Sequence, residues 1–283
     1  VYDELVQNPA IKKRQLDPRK LLTHIAKMQF ESGYPYIVFK SNANAAHPLK
    51  EIGQIKISNL CTEIFQLQET STITDYGEED QIRRDISCNL GSLNIVNVME
   101  RRALKESVYA GMDALTAVSS LSQIKNAPGI QKANEELNAV GLGSMNLHGY
   151  FAKNKIAYES ELAKEFVRTY FMMVNYYSIE RSMQIAMEKG RSFIGFEQSD
   201  YASGEYFKLY LTEDFTPKSD RVKELFHEMV IPTKNDWAHL AKSVKENGMY
   251  HAYRLAIAPT QSIGYIQNAT ASILPVVDLV ERR

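Results

Sequence analysis

Asn59, Cys61 and Glu63 occupy alternate positions in the stretch Ile57-Ser58-Asn59-Leu60-Cys61-Thr62-Glu63. On a strand, a spacing of two places all three side chains on one face; on a tight loop they can also converge. An amide, a thiol and a carboxylate would then lie within a few ångströms of one another. The carboxylate works against thiolate chemistry, because nearby negative charge raises a thiol's pKa. Chemistry that uses a neutral S–H or a sulfur radical carries no such penalty. Spacing alone still favours a plainer reading, a buried cysteine at the end of a strand, since free cysteine is among the most buried residue types.

The second of the two cysteines, Cys88, sits in "DISCNLGSLN". Packing, a disulfide with Cys61, and a redox role with another partner are all open to it, and sequence cannot bring the two sulfurs together. "APTQSIGY" (residues 258–265) places Pro, Gly and small hydroxyls between apolar segments. Its backbone N–H groups, with the Thr260 and Ser262 hydroxyls, suit a phosphate; the alternative is an ordinary turn. It is not a Walker loop, for the lysine is missing. "GLGSMN" (residues 141–146) opens like a dinucleotide fingerprint but has Asn146 at the third glycine position. Tight helix–sheet packing is the better reading there. The histidines (His24, His47, His148, His227, His239 and His251) show no pairing typical of a metal site, so no bound metal is expected.

These groups need elements to hold them. Asp17 reads as an N-cap and Pro18 as the first residue of a helix with Leu21, Leu22, Ile25 and Met28 on one stripe, stopped at Gly33. "YPYIVF" predicts a strand over residues 36–39, followed by a loop over 41–48. Residues 68–84 read as a polar excursion. A strand is expected near 92–96, and a helix through Leu104, Val108, Met112, Leu115 and Val118. Residues 139–153 suit a strand, a turn and a helix. The longest helix spans about 159–189 and ends at Gly190, with Met172, Met173, Met183, Met187 and the Tyr176–Tyr177 pair in its packing. A further helix carries Trp237, Leu240 and Val244 inward and stops at Gly248. "RLAIAPTQSIGYIQNATASILPVV" reads as a buried strand, a turn and a second apolar segment. Helices alternating with short apolar strands predict an α/β fold with largely parallel strands.

Composition narrows the function. The 283 residues are 44% hydrophobic and 24% charged, as in an ordinary globular protein. A formal net charge of -1 gives no electrostatic case for nucleic acid, and no apolar run is long enough to cross a membrane. Two cysteines are too few for a disulfide scaffold and fit a reducing cytoplasm. The chain begins at Val1 and ends in the apolar-rich "LPVVDLVERR", so it is expected to be a piece of a longer polypeptide.

Taken together, "FESGYPYI", "SNLCTEI", "DISCNLGSLNI", "GLGSMNLHGY", "YASGEYF" and "APTQSIGYIQNATASI" resemble the catalytic (alpha) subunit of class I ribonucleotide reductase, of the class Ib type. The resemblance runs from about Phe30 to the C-terminus, and the 27-position offset from Cys61 to Cys88 fits it. It implies a ten-stranded α/β barrel with a central finger loop, of which residues 1–283 form a partial, single catalytic domain. By that resemblance Cys61 becomes a thiyl radical that takes the ribose 3′ hydrogen. Glu63 is the general base for the 3′-hydroxyl, and Asn59 hydrogen-bonds the sugar. Cys88 is one of two redox thiols, its partner a cysteine absent from this chain. Asn59, Leu60, Cys61, Thr62 and Glu63 line the substrate, and Pro259, Thr260, Gln261, Ser262 and Ile263 hold its diphosphate.

The same resemblance implies a ribonucleoside diphosphate substrate, reduced to the deoxyribonucleotide for DNA synthesis. No cofactor is expected in the chain. The radical comes from a metal-containing beta subunit, and electrons come from a thioredoxin- or glutaredoxin-like protein. The complete enzyme is a homodimer. The family chain is more than twice as long. Its N-terminal allosteric site, its relay tyrosine pair and its tail cysteines have no counterpart here, and Tyr176–Tyr177 does not match that pair. A non-enzymatic split or remnant piece is the alternative. The expected outcome is that the 283 residues mixed with a radical-generating small subunit give no reduction of CDP or ADP, read by product chromatography.

Overall fold

The computed structural model describes residues 2–74, 77–122, 124–278 and 280. The chain divides into two compact units, Val1–Phe39 and Lys40–Arg283. The first holds α1 (Tyr2–Gln7) and α2 (Pro18–Ser32). The start and stop of α2 follow its sequence: Asp17 Oδ1 accepts the Arg19 N–H at 2.9 Å, Pro18 stands at the first position, and Gly33 ends it. The expected apolar stripe is present but uncovered, with Leu21, Leu22 and Met28 exposed and no residue of α2 buried. Residues 36–39 correct the sequence reading. They form no strand: their composition favours one, but a strand is set by its place in a sheet rather than by the backbone alone.

The second unit runs α3 (Lys40–Ala46), β1 (Leu90–Asn94), α4 (Ile95–Glu100), α5 (Leu104–Leu121), α6 (Pro128–Leu137), β2 (Gly141–Met145), α7 (Leu147–Lys153) and α8 (Glu161–Lys189). Then follow α9 (Asp200–Ser203), α10 (Lys208–Thr212), α11 (Asp220–Leu225), α12 (Lys234–Asn247) and α13 (Gln261–Ile266). α3 replaces the expected loop. Its alanines favour helix, and Asn44 spends its side chain on the Ile55 backbone, accepting from N at 2.8 Å and donating to O at 3.0 Å. β1 begins two residues earlier than expected, because its pairing with β2 fixes the limits and Ile95 and Val96 enter α4. In the excursion, Gln68 is buried rather than exposed, and Thr72 bridges Gln81 in antiparallel fashion. Asp75 and Tyr76 lie outside the described residues.

β1 and β2 pair in parallel, Leu90 opposite Gly141 through Asn94 opposite Met145. A third extended segment, residues 253–257, lies along the other edge of β2. Leu142 N–H donates to Arg254 O at 2.8 Å, Ala256 N–H donates to Leu142 O at 3.2 Å, and Leu142 bridges Leu255 in parallel. The expected strand is thus a strand-like edge, and the apolar stretch after it is interrupted by α13. The glycines of "GLGSM" do permit close packing, but against this neighbouring backbone more than against a helix. A Cβ on Gly143 would stand 2.1 Å from Ala256 O, and one on Gly141 would stand 2.9 Å from the Ala256 side chain.

Arg254 fastens the third segment to the helices behind it. Its buried guanidinium donates to Asn175 Oδ1 at 3.0 Å, Tyr206 Oη at 3.0 Å, Tyr201 Oη at 3.3 Å and Ser178 Oγ. No carboxylate among the described residues pairs with it. Burial works against its charge, but Tyr201 and Tyr206 hold its pKa above the ordinary guanidinium value.

The apolar core joins α5, α8 and α12 through Met112, Phe166, Tyr170, Trp237 and Val244. Tyr176 and Tyr177 pack edge-on at 5.4 Å, and Tyr176 meets Trp237 at 5.1 Å, in line with a packing role. Met172 and Met173 are buried and Met183 packs against the core, whereas Met187 is exposed near the end of α8.

Gly143→Ala is expected to destabilise the unit by about 3 kcal/mol, at the upper end of overpacking costs. The new methyl would meet a backbone carbonyl that cannot turn away. Chemical denaturation measures this, and a loss below about 1 kcal/mol would show that the sheet yields instead.

Candidate active site

Residues 57–68 form a loop rather than a strand, so Asn59, Cys61 and Glu63 are brought together by a turn. Thr62 N–H donates to Asn59 O at 3.1 Å, closing a four-residue turn with Leu60 and Cys61 at its tip. Asn59 Oδ1 accepts the N–H groups of Glu63 at 3.2 Å and Ile64 at 3.0 Å. Asn59 therefore shapes the loop as well as facing out of it. Thr62 adopts a φ of 65°, a left-handed conformation that costs a β-branched residue about 1–3 kcal/mol. Leu60 and Cys61 are exposed at the tip.

Cys88 comes to this loop from the other side. It lies just before β1, with Asn89 already in register through its carbonyl, which accepts the Gly141 N–H at 2.8 Å. Asn59 Nδ2 stands 3.9 Å from Cys88 Sγ, a weak donor contact to sulfur. Both thiols are free and exposed as residues. Burial, Glu63 and then Cys61 push the Cys88 thiol up from its ordinary pKa, against an opposing hydrogen bond from Asn59. Cys88 is therefore held as a neutral thiol at neutral pH. Glu63 Oε2 is buried and has no hydrogen-bond partner among the described residues. A carboxylate oxygen kept from water with an open lone pair is placed to accept a proton.

The base of the loop is fixed by groups the sequence reading passed over. Gln66 exchanges two hydrogen bonds with the Ser87 backbone, donating to O at 2.8 Å and accepting from N at 3.0 Å. Leu67 N–H donates to Tyr253 Oη at 2.9 Å. Gln68 donates to Ile57 O and closes the loop on itself. The signal was present in "EIFQLQ": Ile64, Gln66 and Gln68 share one face and all are buried, so two amides in an apolar alternation needed partners.

The 259–263 stretch stands apart. Thr260 caps the six-residue α13, but its side chain is buried and its Oγ1 accepts the Ser272 N–H at 2.7 Å. Pro259, Gln261, Ser262 and Ile263 are exposed, and the N–H groups of residues 261–263 form the open first turn of α13. The Thr260 Oγ1 is thus engaged as an acceptor within the turn. Cys88 precedes β1, whereas 259–263 follow the segment beside β2, so the parallel register separates the two groups along the strands. No hydrogen bond among the described residues joins them. Nor does any group of three His, Cys, Asp or Glu among the described residues have the arrangement of a metal site.

Fold and site together define an α/β protein in which a turn bearing one thiol, one amide and a neighbouring carboxyl group faces a second thiol just before a parallel strand pair. A profile of the ribonucleotide reductase barrel domain matches residues 1–283, and the chain belongs to that family. The chain is similar to the ribonucleoside-diphosphate reductase subunit alpha of Bacillus subtilis (strain 168), at 52% identity over 283 residues, all of this chain and 40% of that protein. A ribonucleoside-diphosphate reductase NrdEB subunit alpha of the same organism is 49% identical over 227 residues, 80% of this chain and 21% of that one. The subunit alpha of Mycoplasma pneumoniae is 42% identical over 291 residues, again covering all of this chain and 40% of the relative. The chain thus spans about 40% of the length of such relatives.

The electrostatics of Cys88 give an expected outcome. Alkylation of Cys88 should show a pH midpoint above that of an ordinary thiol, because its neutral form is favoured. Glu63→Gln removes the carboxylate beside it and should lower that midpoint. Mass-spectrometric tracking of carbamidomethylated Cys88 against pH measures it, and an unchanged midpoint would separate Glu63 from the thiol.

Proposed function

We propose that these residues form the part of a ribonucleoside-diphosphate reductase catalytic subunit that carries the radical thiol. The observation that carries this reading is the Glu63 oxygen, buried and unpartnered on the same turn as Cys61. Such a turn can present a hydrogen-abstracting sulfur and a proton acceptor to the hydrogen and the hydroxyl of one sugar carbon. A nucleophilic thiolate gains nothing from a carboxylate beside it.

In this proposal the Cys61 sulfur, as a thiyl radical, takes the 3′ hydrogen atom and becomes a thiol, leaving the unpaired electron on the sugar. Glu63 accepts the 3′-hydroxyl proton. Asn59 keeps its Oδ1 on the loop and offers its Nδ2 hydrogens to the sugar or to Cys88. The 2′-hydroxyl leaves as water with a proton from a pair of thiols, of which Cys88 is one. The pair's other hydrogen and its two electrons reduce the 2′ carbon, leaving a disulfide, and Cys61 and Glu63 return the 3′ hydrogen and the hydroxyl proton. A neutral Cys88 suits that step, since it must deliver hydrogen and not merely charge. The exposed first turn of α13 meets the diphosphate through backbone N–H groups and Ser262. The Thr260 hydroxyl supports that turn from within.

We read β1, β2 and residues 253–257 as part of a ten-stranded barrel, with 57–68 as its central finger. In the same reading a metal-containing beta subunit supplies the radical and a thioredoxin- or glutaredoxin-like protein restores the thiols. The working enzyme is then a cytoplasmic homodimer. The family membership, the alternating elements and the parallel pairing support this architecture.

The test is a chimera in which these 283 residues replace the matching stretch of the Bacillus subtilis subunit alpha. With a beta subunit and a thiol reductant it should form deoxyribonucleoside diphosphate. Cys61→Ser should reduce turnover to background while leaving equilibrium binding of the ribonucleoside diphosphate in place. A folded, nucleotide-binding chimera without turnover, or turnover that survives Cys61→Ser, would refute the assignment.

A further inference from the structure

We infer that Gln66 is a positioning residue: its side-chain amide sets the separation between the turn bearing Cys61 and Glu63 and the segment bearing Cys88. The inference rests on the reading of those three groups as the reacting ones. It is drawn from hydrogen bonds that the proposed chemistry does not use.

Gln66 is 2% exposed and Ser87 is 1% exposed, so neither can exchange its partner for water without opening the site. The Gln66 amide meets both the N–H and the carbonyl of Ser87, at 3.0 and 2.8 Å. The contact has the donor–acceptor pattern of a strand pair, but it is made by one side chain. Ser87 immediately precedes Cys88, and Gln66 lies three residues after Glu63. By contrast, the only direct bond found between Asn59 and the Cys88 side chain is the weak 3.9 Å contact to sulfur.

The Ser87 end is itself fixed. Its hydroxyl donates to Asn134 Oδ1 and accepts from Asn89 Nδ2 at 2.9 Å. Asn89 Nδ2 also reaches Asn134 Oδ1 at 3.0 Å and Ala139 O at 3.2 Å. Gln66 therefore grips an immobile point that is tied through Asn134 to α6 and through Ala139 to the approach of β2. Movement at Gln66 would be felt by the turn, not by the sheet. A two-point grip fixes both distance and rotation, which one hydrogen bond would leave free.

The discriminating variants are Gln66→Met, which keeps the shape and loses both bonds, and Gln66→Glu. A protonated glutamic acid restores one donor and one acceptor, whereas the carboxylate cannot donate to Ser87 O. Both are made in the chimera with Bacillus subtilis subunit alpha, and turnover is expressed per folded molecule after thermal unfolding. Gln66→Met should lower kcat by about 100-fold, the scale of a 1 Å misplacement, with a smaller change in KM. It should also lower the pH midpoint of Cys88 alkylation as Glu63 and Cys61 move away. Gln66→Glu should regain turnover relative to the unsubstituted chimera as pH falls. Unchanged kcat and midpoint in Gln66→Met would overturn the inference. So would a loss that merely tracks the folded fraction, or no acid recovery in Gln66→Glu. If the unsubstituted chimera has no turnover, the proposed function fails, and the alkylation midpoint alone then decides the role of Gln66.

Discussion

The larger unit depends on the close approach of three extended backbones at β2. Parallel pairing brings β1 to one edge and residues 253–257 to the other, and the second contact exists only because position 143 has no side chain. From that contact follow the positions of both groups of interest. Cys88 is delivered by the chain entering β1, and residues 259–263 by the chain leaving the third segment. Arg254, in the middle of that segment, reaches α8 and the Tyr201–Tyr206 region behind it. A buried guanidinium is costly unless its protons are shared out, and here five oxygens take those of its two terminal nitrogens, while Nε finds no partner among the described residues.

Local charge governs the site more than overall charge, which is nearly balanced at -1. Cys88 is partly removed from water and stands near the Glu63 carboxylate, and both effects favour S–H over S⁻. This separates the site from those of thiolate enzymes, where a cation or helix N-terminus draws the proton off. The turn adds conformational restraint. Asn59 caps it from inside and Thr62 accepts a disfavoured backbone to keep Cys61 at the tip.

Local grammar was the most legible part of the sequence. Asp17, Pro18 and Gly33 marked α2, Gly190 marked the end of α8, and Trp237, Leu240 and Val244 marked the inner face of α12. These features are decided within a few residues. Features decided by distant partners were misread or missed. Residues 36–39 have strand composition but join no sheet, and residues 41–48 have loop composition but enter α3, where Asn44 meets the Ile55 backbone. The members of the site could be named from "SNLCTE" and "DISCN", along with the conflict between thiol and carboxylate. Its supports could not, because Ser87, Asn134 and Tyr253 are joined to the loop only by the fold. Thr260 shows the reverse case: a hydroxyl of the right type in the right loop, directed inward to Ser272.

The unpartnered oxygen of Glu63 has a consequence for selectivity. A buried acceptor left open destabilises the empty site by about 1–3 kcal/mol. A guest that brings a hydroxyl hydrogen to that point relieves the frustration. A guest of the same shape without one leaves it in place. In the proposed reading, the open acceptor biases the site toward a sugar over its deoxygenated analogue before any bond is made or broken.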